Sequence, residues 1–413
     1  MSLESRLSRL RAQAGAGTPA ASDKPAQSTL RTRLAQLQSR ARTTGQHRSS
    51  STSSPALPVE ALADRLKGEC IAEGVIRIRQ RVPLTGKLGA VELTALHDKP
   101  CLPGEPGRSC RNVYIDTETT GLSGGSGTLA FLIGVATVDS DAIELTQWLM
   151  IRFAAEATVL SAFANALTAA DRLVSYNGKS YDLPLLHSRF RMQGLQPAFE
   201  NLPHLDLLHP VRRLFGKYWN DCRLLSVEEQ LLGLQRVGDL PGSEAPAAWF
   251  RYLREGQAEA LIKVVEHNRQ DILSLAIAHR VLAQATAHPE AFDVDLHALA
   301  RWLCDSDEER ARRLLQAHAG MLCDDGMRLL ARLQRRAGHW PQAVALWETL
   351  AATGCIESIE RLAKYHEHIS KDLGAAQRCC DQLPLTPAIQ HRRRRLNRKI
   401  NAARPPLRVP QLV

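Results

Sequence analysis

The 413-residue sequence has no apolar run long enough to cross a bilayer, so no membrane-spanning helix and no membrane partner is expected. It also lacks an apolar leader: charge begins at Glu4 and Arg6, which argues against secretion. The Arg- and Ser-rich start resembles an organellar presequence, but Glu4 and Asp23 count against one, and a cytoplasmic location is expected. The nine cysteines include no C-x-x-C pair, and their odd number does not suggest a disulfide framework. The vicinal pair Cys379–Cys380 reads as helix packing. A phosphate cradle is missing as well. Gly124-Gly125-Ser126-Gly127 is followed by no Lys-Ser/Thr and has no strand-to-helix context, so it reads as a flexible loop.

What is present is an ordinary globular balance, 44% hydrophobic and 23% charged, in a chain long enough for two domains. The net charge of +10 is unevenly placed. Residues 1–60 carry nine Lys/Arg against three acids, and residues 385–413 carry eight and no acid, so the body between them is mildly acidic. Basic ends attract phosphate backbones, although solvated tails have the same composition. Residues 1–58 are Ser-, Thr-, Ala-, Gln- and Arg-rich and are expected to form a disordered basic tail.

From 59 the patterns become ordered. Residues 69–96 suggest a few strands, and strands are expected at 112–116, 128–138, 143–151 and 172–176. Helices are expected at 156–169, 181–193, 224–232 and 259–283. Three strands followed by alternating helices and short strands predict an α/β domain over 59–286, a mixed sheet flanked by helices in the order of a ribonuclease-H-like fold. From 287 to 384 only helices are expected. Leu299-Ala300-Arg301, Leu330-Ala331-Arg332 and Leu362-Ala363-Lys364 recur at intervals of 31 and 32 residues, and Ala311, Ala343 and Ala376 at 32 and 33. Small residues at that period suggest stacked helical hairpins of tetratricopeptide type, with an irregular bundle as the alternative. Residues 385–413 are read as a second basic tail.

Three acidic clusters carry the chemistry. Asp116-Thr117-Glu118-Thr119-Thr120-Gly121 follows the apolar Val113-Tyr114-Ile115. Residues two apart in a strand share a face, so Asp116 and Glu118 stand side by side and repel each other unless a cation lies between them. A hard divalent ion with oxygen ligands suits such a pair. The second cluster is Asn177-Gly178-Lys179-Ser180-Tyr181-Asp182, with Ser180 as a candidate N-cap and Asp182 in the first helical turn. The third is His267-Asn268-Arg269-Gln270-Asp271, whose His and Asp share one helix face.

Together, DTETTGL at 116–122, SYNGKSYDLPLL at 175–186, HLDLLHPVRRLF at 204–215 and EHNRQDILSLA at 266–276 resemble the DEDD superfamily of 3′–5′ exonucleases, and more closely its YprB-like ribonuclease-H-like family. The resemblance covers roughly residues 70–285. It implies that Asp116, Glu118, Asp182 and Asp271 hold two Mg²⁺ or Mn²⁺ ions and that His267 is the general base of a two-metal phosphodiester hydrolysis. His267 stands four residues before Asp271, the spacing of the tyrosine subclass rather than the histidine one. Thr119, Asn177 and Asp206 are candidate substrate contacts. Asp206 resembles an auxiliary acid of the superfamily, while Asn177 equally suits a turn. Arg212 and Arg213 can contact phosphates or simply solvate a helix face.

The implied partner is DNA or RNA, with a single-stranded 3′ end as substrate, and the repeats offer room for a protein partner. An endonuclease or structure-specific ribonuclease is the alternative on the same fold. A non-catalytic scaffold, binding nucleic acid through the tails and protein through the repeats, is the alternative outside enzymes. The repeats can also simply brace the α/β domain.

Overall fold

The computed structural model describes residues 57–98, 101–105, 110–121, 127–197 and 199–403. The N-terminal tail expected over 1–58 therefore lies outside the described residues but for its last two, as does most of the Gly124–Gly127 loop. After a short helix α1 (Val59–Arg65) come β1 (Gly68–Ala72), β2 (Val75–Pro83) and a small ribbon of β3 (Lys87–Leu88) and β4 (Val91–Glu92). The centre is built by β5 (Asn112–Thr119), β6 (Ala130–Val138), β7 (Ala142–Met150), β8 (Arg172–Ser175) and β9 (His204–Asp206). The main sheet has the order β1-β2-β7-β6-β5-β8-β9. Its first five strands run antiparallel, whereas β5, β8 and β9 are parallel. This is a mixed seven-stranded sheet flanked by helices, in the ribonuclease-H-like arrangement.

Alternation along the strands gives the sheet two buried faces. Val113 and Ile115 of β5 belong to one core, together with Phe131, Ile133 and Trp249. Tyr114, between them, belongs to the other. The first face is covered by α2 (Glu156–Ala166), α3 (Asp182–Met192) and α6 (Ala245–Glu255). The second is covered by α4 (Leu208–Phe215) and α5 (Leu224–Val227), the latter running into a π-helical turn. The 29-residue helix α7 (Glu259–Ala287) serves both: Leu261, Val264 and Val265 pack in the first core, and Ile272 through Ala285 in the second.

An all-helical region follows: α8 (Leu296–Leu303), α9 (Glu308–Ala317), α10 (Asp324–Arg336), α11 (Trp340–Ala352), α12 (Ile356–His368), α13 (Leu373–Asp381) and α14 (Pro387–Ala403). Each packs on the next. The periodic small residues Ala300, Ala331 and Ala363, and likewise Ala311, Ala343 and Ala376, are all fully buried. Cys380 is buried and Cys379 half-buried in α13.

The basic segment expected as a tail from 385 is corrected by α14. Its Leu396 is fully buried, and Arg392, Arg395 and Lys399 converge on Glu367 of α12 at 3.1, 2.6 and 2.9 Å. Four successive arginines mask the few apolar anchors of this helix. Among the described residues no helix is long and apolar enough to cross a membrane.

Candidate active site

β5 delivers two carboxylates, Asp116 opposite Gly134 and Glu118 opposite Leu132 of β6. Asp182 is the first residue of α3, and His267 and Asp271 lie one turn apart on α7. All five line one cleft of about 730 Å³, together with Thr119 and Asn177. Gly134 is what lets α7 approach, because a Cβ there would land on Ile272 and Asn268. The fully buried Asn268 donates to Asp116 Oδ2 at 2.7 Å. Its own oxygen accepts from Gln147 of β7 at 2.8 Å, which also donates to the Val265 carbonyl. One polar chain thus ties β5, β7 and α7 together at the same carboxylate.

The expectations for the second cluster change in detail. Tyr181, not Ser180, stands at the N-cap of α3, without a side-chain capping bond. Asp182 instead accepts the Thr117 hydroxyl. Asp206 does not line the cleft. It is 2% exposed and accepts from the backbone N–H groups of Asn177, Lys179 and Leu208 at 2.7, 3.1 and 3.1 Å. Those bonds hold the loop in which Asn177 takes a left-handed φ of 63°. Asp206 therefore shapes the cleft wall from behind, and the expected substrate contact is not available to it. Thr119 donates to the Gly121 carbonyl at 3.0 Å.

Sequence reasoning missed the polar network on the far side. Past the π-helical turn, Arg236 bonds Glu228 through two nitrogens at 2.6 and 2.8 Å, Asp239 at 3.0 Å, and Asp271. Asp239 in turn meets His267 Nδ1 at 2.8 Å, while Nε2 lies 3.7 Å from Asp271. Arg236 and Asp239 sit in a loop with no periodicity, 35 residues before Asp271 and 28 before His267 respectively, so no local pattern announces them. Asn268 was visible inside the third cluster but had no assigned role.

The electrostatics are those of crowded acids. Burial pushes Asp116 far up, and the charges of Asp271, Asp182 and Glu118 add to it. Burial, then Asp271 and Asp182, raise Glu118 to about 8. Asp182 is raised to about 6, chiefly by burial, against the Thr117 hydrogen bond. Burial raises Asp271 too, opposed by His267 and Arg236. Among the described residues no three His, Cys, Asp or Glu side chains stand assembled as an ion cage. Arg236, Asn268 and Thr117 each bond one of the acids. The donor set still fits a hard divalent cation: four carboxylates, Glu118 buried and Asp116, Asp182 and Asp271 half-buried, all oxygen, whose mutual repulsion a cation relieves.

Residues 113–282 match the RNase_H_2 family, described as RNase_H superfamily. The protein YprB of Bacillus subtilis (strain 168) is 32% identical over 286 residues, covering 65% of this chain and 68% of that one. The chain belongs to the RNase_H superfamily. The cleft thus lies in a nuclease fold, and the superfamily match spans β5 through α7, the segment that supplies all four carboxylates. Among solved structures, the family B DNA polymerase of Pyrobaculum calidifontis aligns with 67% of this chain and 35% of its own length, at 13% identity and a TM-score of 0.36. So loose a likeness adds nothing to the superfamily assignment.

Proposed function

We propose that the chain is a metal-dependent nuclease that hydrolyses phosphodiester bonds of DNA or RNA, as a 3′–5′ exonuclease of DEDD type acting on a single-stranded end in the cytoplasm. The observation that carries this reading is the convergence of Asp116, Glu118, Asp182 and Asp271 in one cleft, with His267 beside them. These carboxylates would hold two Mg²⁺ or Mn²⁺ ions, which supply Lewis acidity toward the phosphate and its attacking water.

His267 is the base. Asp239 holds its Nδ1, which fixes the ring and leaves Nε2 to take a proton from water in the cleft. Thr119 and Asn177 face the substrate from the cleft wall, and Asp206 positions Asn177 through the backbone. Asn268 aligns Asp116. Behind this domain, we read the all-helical region from residue 287 as tetratricopeptide-like repeats, on the strength of the fully buried alanines at its 31–33-residue period.

The test is degradation of end-labelled single-stranded DNA and RNA with Mg²⁺ or Mn²⁺, wild type beside Asp116→Ala/Glu118→Ala. Metal-dependent release of mononucleotides that vanishes in the double variant supports the exonuclease. Internal cuts with the same dependence replace it by an endonuclease, and no cleavage of either polymer removes the enzymatic reading.

A further inference from the structure

A second charged surface lies in the all-helical region. A groove of about 800 Å³ crosses α8, α10 and α12 and is bounded by α4, which follows β9 of the sheet. Arg213, Arg301, Arg328, Arg332, Arg335 and Arg361 line it. Its carboxylates are Asp305, Asp325 and Glu357, half as many. Arg328 is paired with Asp325, and Arg361 with Glu357 at 3.4 Å. Among the described residues Arg301, Arg332 and Arg335 form no ion pair.

The placement of these cations follows the helical period. Arg301 and Arg332 each follow a buried Leu-Ala step, so they occupy the same position in that step on α8 and on α10. Aromatic rings interleave with them: the Arg213 guanidinium lies 4.8 Å over the Trp302 ring, and the buried Trp347 forms part of the lining. Guanidinium groups without carboxylates bind phosphate strongly, and an indole face among them offers a base a stacking surface. An acidic peptide would use the charge but not the Arg213–Trp302 stack, which a base can extend.

We propose that this groove is a nucleic-acid-binding site distinct from the carboxylate cleft, holding the backbone of a single strand on Arg301, Arg332 and Arg335 with a base on Trp302. The site stands apart from the nuclease reading, because binding here needs no metal and no turnover.

The experiment is fluorescence anisotropy of a labelled oligothymidylate on the full chain in EDTA, wild type against Arg301→Gln/Arg332→Gln/Arg335→Gln. These side chains are exposed or half-buried, so the fold tolerates the change. Affinity is expected to fall by roughly tenfold or more, and the slope of log affinity against log salt by about 2, from three lost phosphate contacts. Equal affinity and slope overturn the proposal.

The basic residues of 1–60 offer anions another place, so a second measurement localises the strand. Photo-crosslinking of an oligonucleotide carrying 4-thiothymidine is expected to label peptides of α8 and α10 in the wild-type chain. Crosslinks confined elsewhere overturn it. So does tighter binding of polyglutamate than of oligothymidylate at matched charge, which makes the groove a peptide site. A chain that binds here yet cleaves nothing loses the nuclease reading alone.

Discussion

Behind the cleft, Arg236 is bonded to Glu228, Asp239 and Asp271 at once, a cation set against the acids from the far side. Replacing it by Gln strands the fully buried Glu228 and is expected to cost about 3 kcal/mol or more. The measurement is thermal unfolding in EDTA. Saturating Mg²⁺ should return part of the loss, because a cation then serves Asp271, the one carboxylate the two share; an unchanged Tm would show that Arg236 balances nothing.

The acids themselves set a pH dependence of the metal-free protein. Asp182 and Glu118 are raised to about 6 and about 8, above their ordinary values, so the folded state favours their protonated forms. Their contribution to stability is fully present below the ordinary carboxylate range and is lost as pH rises through 6 and then 8. Urea midpoints in EDTA should fall over that window, and Glu118→Gln should flatten the upper part. At this scale the sequence displayed the four carboxylates and His267, because short motifs hold them. It hid Arg236 and Asp239, because their meaning comes only from contacts across the fold.

Two elements depend on single positions. Gly134 of β6 admits α7 only because it has no Cβ. Gly134→Ala is expected to push Asn268 off Asp116 and to destabilise by about 1–3 kcal/mol, as overpacking does. Urea denaturation gives the stability, and cleavage with Mn²⁺ should drop with it; a variant as stable and active as wild type would sink the close-approach argument. Helix α14 depends on Glu367, which is 1% exposed and held down to about 2 by Arg395 and Lys399, against the cost of its burial. A depressed carboxylate stabilises above its ordinary value and ceases to as pH falls toward 2, so α14 should loosen in acid. Glu367→Gln should do the same at neutral pH, seen as faster amide exchange over 387–403 with the rest unchanged.

The strands and the long helices were legible because burial leaves a period of two or of about four residues. Helix α6 is not among the expected helices, and α14 reads as a tail because its run of arginines outweighs Leu396 and Ile389 in any local average. The period of the later helices was legible in its alanines, since only small side chains fit where those helices meet.

At the scale of the whole molecule, the second core passes without interruption from Tyr114 and Val174 of the sheet, through α7, to Leu299, Leu303, Leu315 and Leu330 of the all-helical region. Arg310 reaches back to the Thr286 carbonyl at 3.1 Å, and the Asp295 amide to Leu214 at 2.8 Å. Ending the chain at 287 would bare the second half of α7, with an expected loss of at least about 5 kcal/mol from apolar surface alone, a large part of a domain's stability. Fragment 57–287 should therefore be insoluble or lack a cooperative urea transition, whereas 57–403 should not; a well-folded short fragment would contradict the shared core.

This continuity was invisible in the sequence, where the patterning changes near 287 as it would at a domain boundary. It also means that the molecule has a gauge. Two sites joined by a slack linker accommodate polymers of any length, but two sites built over one core keep a separation fixed at folding. A strand too short to span that separation must occupy one site or the other, and the length at which it first occupies both is a constant of this chain.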